Sequence, residues 1–273
     1  MKFKKTAALL LALSTSMAAE AHRYWVLPAA TILSGDDPWV TVDAAVSNDI
    51  FYFNHFPLRA NFLSVVRPDG TGGEMHNVAE GKHRTTFDLN LKQEGTYKVL
   101  MNTSGLRASW ETEQGDRKFW PGRGEKPKPG DFEKKVPKQA KNLKVGYSST
   151  KLEAFITAGA PTDTVLTLNN QGLEMKLSTH PNDLVDSEPV TLQFFMDGAP
   201  VAGASVVIIP DGMRYRDSQQ ALELATNADG KVKVDWPHAG RYWLEAEYED
   251  SKAKPPATTR SGKYIATLEV LPL

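Results

Sequence analysis

Along most of this chain, apolar and polar residues alternate in short runs broken by Gly, Pro, Asn and Asp. That period of two predicts half-buried β-strands, and beyond the N-terminal segment nothing carries the i, i+3, i+4 apolar spacing of a long amphipathic helix. Strands are predicted at 39–46, 62–66, 84–91, 95–101, 152–156 and 164–168. The run at 62–66 closes on the turn Arg67-Pro68-Asp69-Gly70. A second series follows at 189–196, 204–209, 231–234, 240–246 and 264–270, with turns at Asp197-Gly198-Ala199-Pro200 and Asn227-Ala228-Asp229-Gly230. The pattern predicts an all-β protein of two β-sandwich domains, an N-terminal one over residues 22–177 and a smaller one over 178–273. Between the strands of the first lies a Pro- and Lys-rich excursion at roughly 121–147. It is expected to stand outside any core, as a solvated loop, a lid or a docking arm.

The N-terminal segment has a different pattern. Met1-Lys2-Phe3-Lys4-Lys5 is basic, residues 6–17 are apolar, and Ala19-Glu20-Ala21 is a small-x-small triplet. This is the layout of a cleaved export signal over residues 1–21. The apolar run is too short to span a membrane, as is every later one. The expectation is a soluble exported protein, periplasmic in a Gram-negative cell. Removing Lys2, Lys4, Lys5 and Glu20 leaves 29 basic and 32 acidic residues of the original 32 and 33, a net charge of −3. A weakly acidic chain argues against a nucleic-acid partner. Cysteine is absent, so packing alone must hold the fold. Any metal would have to be bound by His, carboxylate, Met, Tyr or the amino terminus.

In the second half, Asp197-Gly198-Ala199-Pro200-Val201-Ala202-Gly203-Ala204, Thr226-Asn227-Ala228-Asp229-Gly230 and Ala239-Gly240-Arg241-Tyr242-Trp243-Leu244 resemble the transthyretin-like, carboxypeptidase-regulatory type of immunoglobulin-like domain. That resemblance implies a scaffold or binding module and no chemistry. The whole mature chain is similar to a family of exported proteins of unknown function associated with nickel or cobalt transport. The matching stretches are Ala21-His22-Arg23-Tyr24-Trp25-Val26-Leu27-Pro28, Gly95-Thr96-Tyr97 and the second-half motifs. Ser47-Asn48-Asp49-Ile50-Phe51-Tyr52-Phe53-Asn54-His55 looks characteristic of one branch of it.

Six histidines are present, at 22, 55, 76, 83, 180 and 238, with no H-x-H or H-x-x-x-H pair among them. A metal site must therefore assemble from separate loops. Cleavage after Ala21 would make His22 the amino terminus, where the α-amine and the ring nitrogen chelate one ion together. Cleavage after Ala18 would abolish that chelate. A third nitrogen, from His55 or His180, would complete a histidine brace. Such a set is similar to those of copper-carrying periplasmic sandwiches and lytic polysaccharide monooxygenases, and it favours Cu(II) or Ni(II). Each ligand has a structural reading beside it. His55, in the aromatic run, also reads as a core histidine bonded to backbone, and His180 as a turn residue before Pro181-Asn182-Asp183. His76, His83 and His238 are expected in solvent or turns, and Tyr24 and Trp25 to anchor the first strand. Trp110, Phe119 and Trp120 are expected to cover a sheet edge or to offer a sugar or partner platform. No G-x-S-x-G, H-E-x-x-H or phosphate-cradling loop is present, and the expectation is a binding protein rather than an enzyme. The sequence thus points to a transition-metal binder (Ni, Co, Cu or Fe) for uptake, delivery or buffering. The alternatives are a metal-independent module for a membrane transporter or receptor and, third, a copper-dependent oxidative enzyme.

Overall fold

The computed structural model describes residues 22–122, 125 and 127–273, so the leader read at 1–21 lies outside the described residues. The first strands are β1 (Arg23–Pro28), β2 (Ile32–Leu33), β3 (Trp39–Ser47), β4 (Phe56–Pro57), β5 (Leu63–Val66), β6 (Gly72–Gly73), β7 (His76–Glu80) and β8 (Thr85–Asn90). Then come β9 (Gly95–Glu111), β10 (Arg117–Trp120), the short helix α1 (Asp131–Lys135), β11 (Lys141–Ala158) and β12 (Leu173–Leu177). The remainder is β13 (Val190–Met196), β14 (Ala199–Pro200), β15 (Ser205–Pro210), β16 (Leu222–Ala225), β17 (Lys231–Val234), β18 (Gly240–Asp250) and β19 (Thr259–Val270).

One ten-stranded sheet runs through the whole molecule in the order β16-β15-β18-β19-β11-β9-β5-β6, with β10 on β9 and β2 on β11. The join between the two halves is the parallel pairing of β11 with β19, from Gly146 opposite Thr259 to Ala154 opposite Thr267. Each face of this sheet carries its own core, because side chains alternate along every strand. On one face Val99, Leu152, Ala154, Ile265, Trp243 and Ile209 pack beneath β1, β3 and β8 of a five-stranded sheet. On the other face Tyr264, Ala266, Tyr242, Leu244 and Val206 pack against Leu173, Leu192 and Phe194 of a four-stranded sheet. The two expected sandwiches therefore share their central sheet. Residues from after 178 enter the first core, and β12, from before it, enters the second.

The second-half motifs have local causes. Asp197-Gly198 forms the two-residue hairpin between β13 and β14, with φ of 50° and 83°, the double positive φ of a type I′ turn. Asn227 Oδ1 accepts from the amides of Asp229 and Lys231, which fixes the next turn. There Gly230 leaves no room for a Cβ, which would lie 2.7 Å from the Phe194 carbonyl. Tyr242 donates its hydroxyl back to the His238 carbonyl at 2.6 Å.

Two expectations need correction. Residues 164–168 are not a strand: 164–166 form a 3-10 turn, and the segment crosses over the sheet instead of joining it. The excursion also carries a small core of its own. Trp120 and Val136 are buried with Ala108, Val145 and Ala257, and Phe132 of α1 meets Trp120 edge-on at 5.4 Å. It rests on β9 and β11, which run far beyond the strands expected there. Phe119, one strand position from Trp120, stays exposed.

The far end of the β18–β19 ribbon is held by charge. Arg260 binds both carboxylate oxygens of Asp250, at 2.8 and 2.9 Å, and also pairs with Asp197. The Arg260 hydrogen bonds hold the Asp250 carboxyl below the usual carboxylate range. A depressed carboxylate stabilises the fold above its unfolded pKa of about 4, and that contribution disappears as pH falls through the lower folded value. Asp250→Asn should therefore lose stability near neutral pH while the gap to the wild type closes in acid. Urea unfolding at about pH 6 and about pH 3 checks this, and a gap unchanged by pH would refute it.

Candidate functional site

The histidines nominated by the sequence fall in two places. His22 lies exposed just ahead of β1, and His55 sits half-buried just ahead of β4. Both strands pair with β3, so their starts meet at its far end: Arg23 is opposite Ser47, and Phe56 opposite Val46. The two imidazoles stack with centroids 3.9 Å apart and planes 12° from parallel. Phe56 lies against both, at 4.4 Å from His55 and 6.0 Å from His22.

The walls of this corner are built by short-range bonds. Trp25, fully buried, donates its indole N–H to Ser47 Oγ at 2.7 Å, and the Ser47 hydroxyl donates to the Asp49 carbonyl. Asn54 accepts from the Asn48 amide and donates to the Asp49 carboxylate, closing the 48–54 loop on itself. Phe51, at φ 58°, and Phe53 then turn inward onto the Trp25 ring, at 5.7 and 5.4 Å. Trp25 thus anchors β1 as the sequence suggested. His83, expected in solvent, comes instead to this corner and places Nδ1 3.0 Å from the His55 carbonyl. A second-half loop closes the opposite side. Met213 Sδ lies 3.3 Å from the Ile50 amide and 3.9 Å from an Arg23 nitrogen, and Arg214 covers Tyr52.

His180 is elsewhere. Its Nδ1 accepts from the Asn182 amide at 3.1 Å, and its Nε2 meets Thr96 Oγ1 at 3.0 Å. Both ring nitrogens are thereby engaged in a buried Thr96–Thr157–Asn182 network, so the ring as placed is a structural member and not a third nitrogen beside His22. His76 packs edge-on to Trp39, and His238 stays exposed in its turn. Among the described residues no group of three or more His, Asp or Glu side chains could hold a metal ion. A histidine brace needs only two residues, because the first supplies two of its three nitrogens.

His180 also borders a cavity of about 410 Å³. Its floor is the β9–β11 part of the central sheet, on the face opposite the first core, and its roof is the crossing segment 163–181. Here the inward positions are charged. Lys151 pairs with Glu174 at 2.7 Å, and Lys98 with Glu153 at 3.1 Å. Tyr264 donates to Glu153 at 2.7 Å, and burial beside that carboxylate pushes the phenol well above its ordinary pKa, so it stays a donor. The sequence signal was present in Lys151-Leu152-Glu153-Ala154-Phe155, but alternation assigned its charged face to solvent.

Residues 19–250 match the family model described as "Domain of unknown function (DUF4198)". The chain belongs to this family. Comparison of this DUF4198 member with curated proteins gives no match. Among solved structures, Salmonella alpha-2-macroglobulin reacted with methylamine aligns at 9% identity over 92% of this chain and 15% of its own length, TM-score 0.25. Trypsin-activated alpha-2-macroglobulin from Escherichia coli aligns at 8% over 90% and 16%, TM-score 0.24. The D0-D1 domain of Intimin aligns at 11% over 90% and 97%, TM-score 0.21. The chain thus spans only a small part of the macroglobulins. Among the described residues no helix is long and apolar enough to cross a membrane.

Proposed function

We propose that this DUF4198 protein is exported to the periplasm, is cut after Ala21, and binds a transition-metal ion for uptake, delivery or buffering. The observation carrying this reading is the stacking of His22 on His55 at 3.9 Å. Two residues far apart in sequence, nominated for their donor chemistry, share one corner. The donor set is the α-amine and ring of His22 with the ring of His55. An amine with a pKa near 8 yields its proton to a metal at little cost near neutral pH. Three nitrogens suit Cu(II) or Ni(II) better than cobalt or iron. Ring lone pairs lie in the ring plane, so two parallel rings cannot both address one ion. His22, exposed and outside the strand, is the ring free to turn toward it, while the His55 backbone is pinned by His83.

Calorimetric titration with Cu(II), Ni(II) and Co(II) tests this on protein beginning at His22. Adding one glycine ahead of His22, or substituting His55→Ala, is expected to weaken binding by about tenfold to a hundredfold or more. Equal affinity in processed and glycine-extended protein would refute the proposal. A second reading, a metal-independent module docking on a membrane transporter or receptor, is favoured by the exposed Tyr52 and Tyr215 beside the same corner. Recovery of a membrane complex by metal-free protein, lost in Tyr215→Ser, would decide for it.

A further inference from the structure

We infer that the cavity between the β9–β11 face and the crossing segment 163–181 binds a small organic carboxylate with an apolar body. The inference follows from which hydrogen-bonding groups are already spent. Glu174 uses one oxygen on the Lys151 ammonium and the Asn169 amide, and the other on the Asn170 amide. Glu153 uses one on Lys98 and the other on Tyr264. Both carboxylates are satisfied by named donors, so the cavity offers little to a cation.

The ammonium groups are not spent. A lysine has three N–H donors. Lys151 directs two of them to Glu174 and Asn169 Oδ1. Lys98 faces one partner, Glu153, and among the described residues no further acceptor engages it. Donors left over in a concave site call for an acceptor, and one beside two ammonium groups is best met by an anion. Around them part of the wall is apolar: Leu100, Phe155, Leu168 and Leu177 line the same space beside Thr167, Ser178 and Thr179. An inorganic anion would leave those walls unfilled, whereas a carboxylate with an alkyl or aryl body fills both parts. At about 410 Å³ the volume falls among those of small-ligand sites. Lys176 and Asp163, both exposed and of opposite charge, line it as well.

The site shares no residue with the histidine corner, so its test is independent of metal. Hexanoate and phenylacetate are titrated calorimetrically into the metal-free, processed protein, with phenylacetamide as the neutral isostere. At least one carboxylate is expected to bind with a Kd below about 1 mM, and the amide about tenfold more weakly. Lys98→Met should weaken carboxylate binding by about tenfold while leaving the amide unaffected, with Glu153 still held by Tyr264. Leu168→Trp, from the half-buried crossing segment, should fill the cavity and abolish binding with the wild-type melting temperature. No binding by either acid at millimolar concentration overturns the inference, as does amide binding equal to acid binding. Unchanged affinity in folded Lys98→Met overturns it too. If Lys98→Met does not fold, the amide comparison and Leu168→Trp decide.

Discussion

Glu174→Ala is expected to destabilise the protein by about 3–5 kcal/mol, the cost of leaving one member of a buried ion pair alone. The Lys151 and Glu174 side chains are 4% and 5% exposed, so either charge finds little solvent to replace its partner. The carboxylate also receives the Asn169 and Asn170 amides, which tie the stretch ahead of β12 to that strand. Lys151→Met should cost less, because Glu174 keeps two amide donors while its buried charge loses only the ammonium. The order of effects is therefore a sharper test than either magnitude. The double substitution Lys151→Met with Glu174→Leu should recover part of the loss, since an apolar pair avoids the desolvation cost but cannot hold the two amides. Urea unfolding of the four proteins measures all of this. A Glu174→Ala protein within about 1 kcal/mol of wild type would show that water reaches the pair, contrary to its burial.

The same buried pair marks where sequence reading stopped. Strands with one face on a core were legible: β13 and β17 lie where Val, Leu and Phe alternate with Thr, Gln and Lys, and β17 was placed to the residue. The outer halves of β9 and β11 were not. Asn102-Thr103-Ser104-Gly105 is polar on both faces, and the pattern falls silent where a sheet continues past its core. The crossing segment was misread for the opposite reason. Val165 and Leu166 show a strand-like apolar run, yet Val165 is buried in a 3-10 turn, Leu166 lines a cavity, and neither joins a ladder. The pairing that joins the halves was beyond reach, because it sets Leu152 beside Ile265 and no local pattern encodes so distant a partner.

The candidate site was legible to the same extent. Donor chemistry nominated His22 and His55, and their proximity follows from both strands pairing with β3. His180 was nominated as a third nitrogen, beside the turn at Pro181-Asn182-Asp183. Its neighbours Thr96 and Asn182 decide its role, and they arrive from far along the chain. His83 was passed over because its flanks are turn-like and polar. Only the fold brings it to the His55 carbonyl.

Trp243→Ala should cost about as much, about 3–5 kcal/mol, and should do so across both halves at once. Trp243 belongs to β18, yet its ring is buried in the first core. Its indole N–H donates to the Tyr24 carbonyl of β1 at 2.9 Å, and the Arg23 guanidinium covers its face at 5.3 Å. Arg23 in turn reaches the Asn48 carbonyl and Gln219, which frame the corner holding His22 and His55. Truncation to alanine removes the packing, the donor and the platform for Arg23 together. Trp243→Phe keeps most of the packing and loses chiefly the hydrogen bond, for about 1 kcal/mol. Because β11 and β19 are paired within one sheet, either variant should still unfold in a single transition, displaced as a whole. Differential scanning calorimetry reads this directly. Two separated transitions, only one of them moved by Trp243→Ala, would mean that the halves fold as independent units and that the shared sheet does not couple them. Metal titration of the folded Trp243→Phe protein completes the test. Affinity near that of wild type is expected, since the histidine corner still rests on Trp25, Ser47 and Asn54, which this substitution leaves in place.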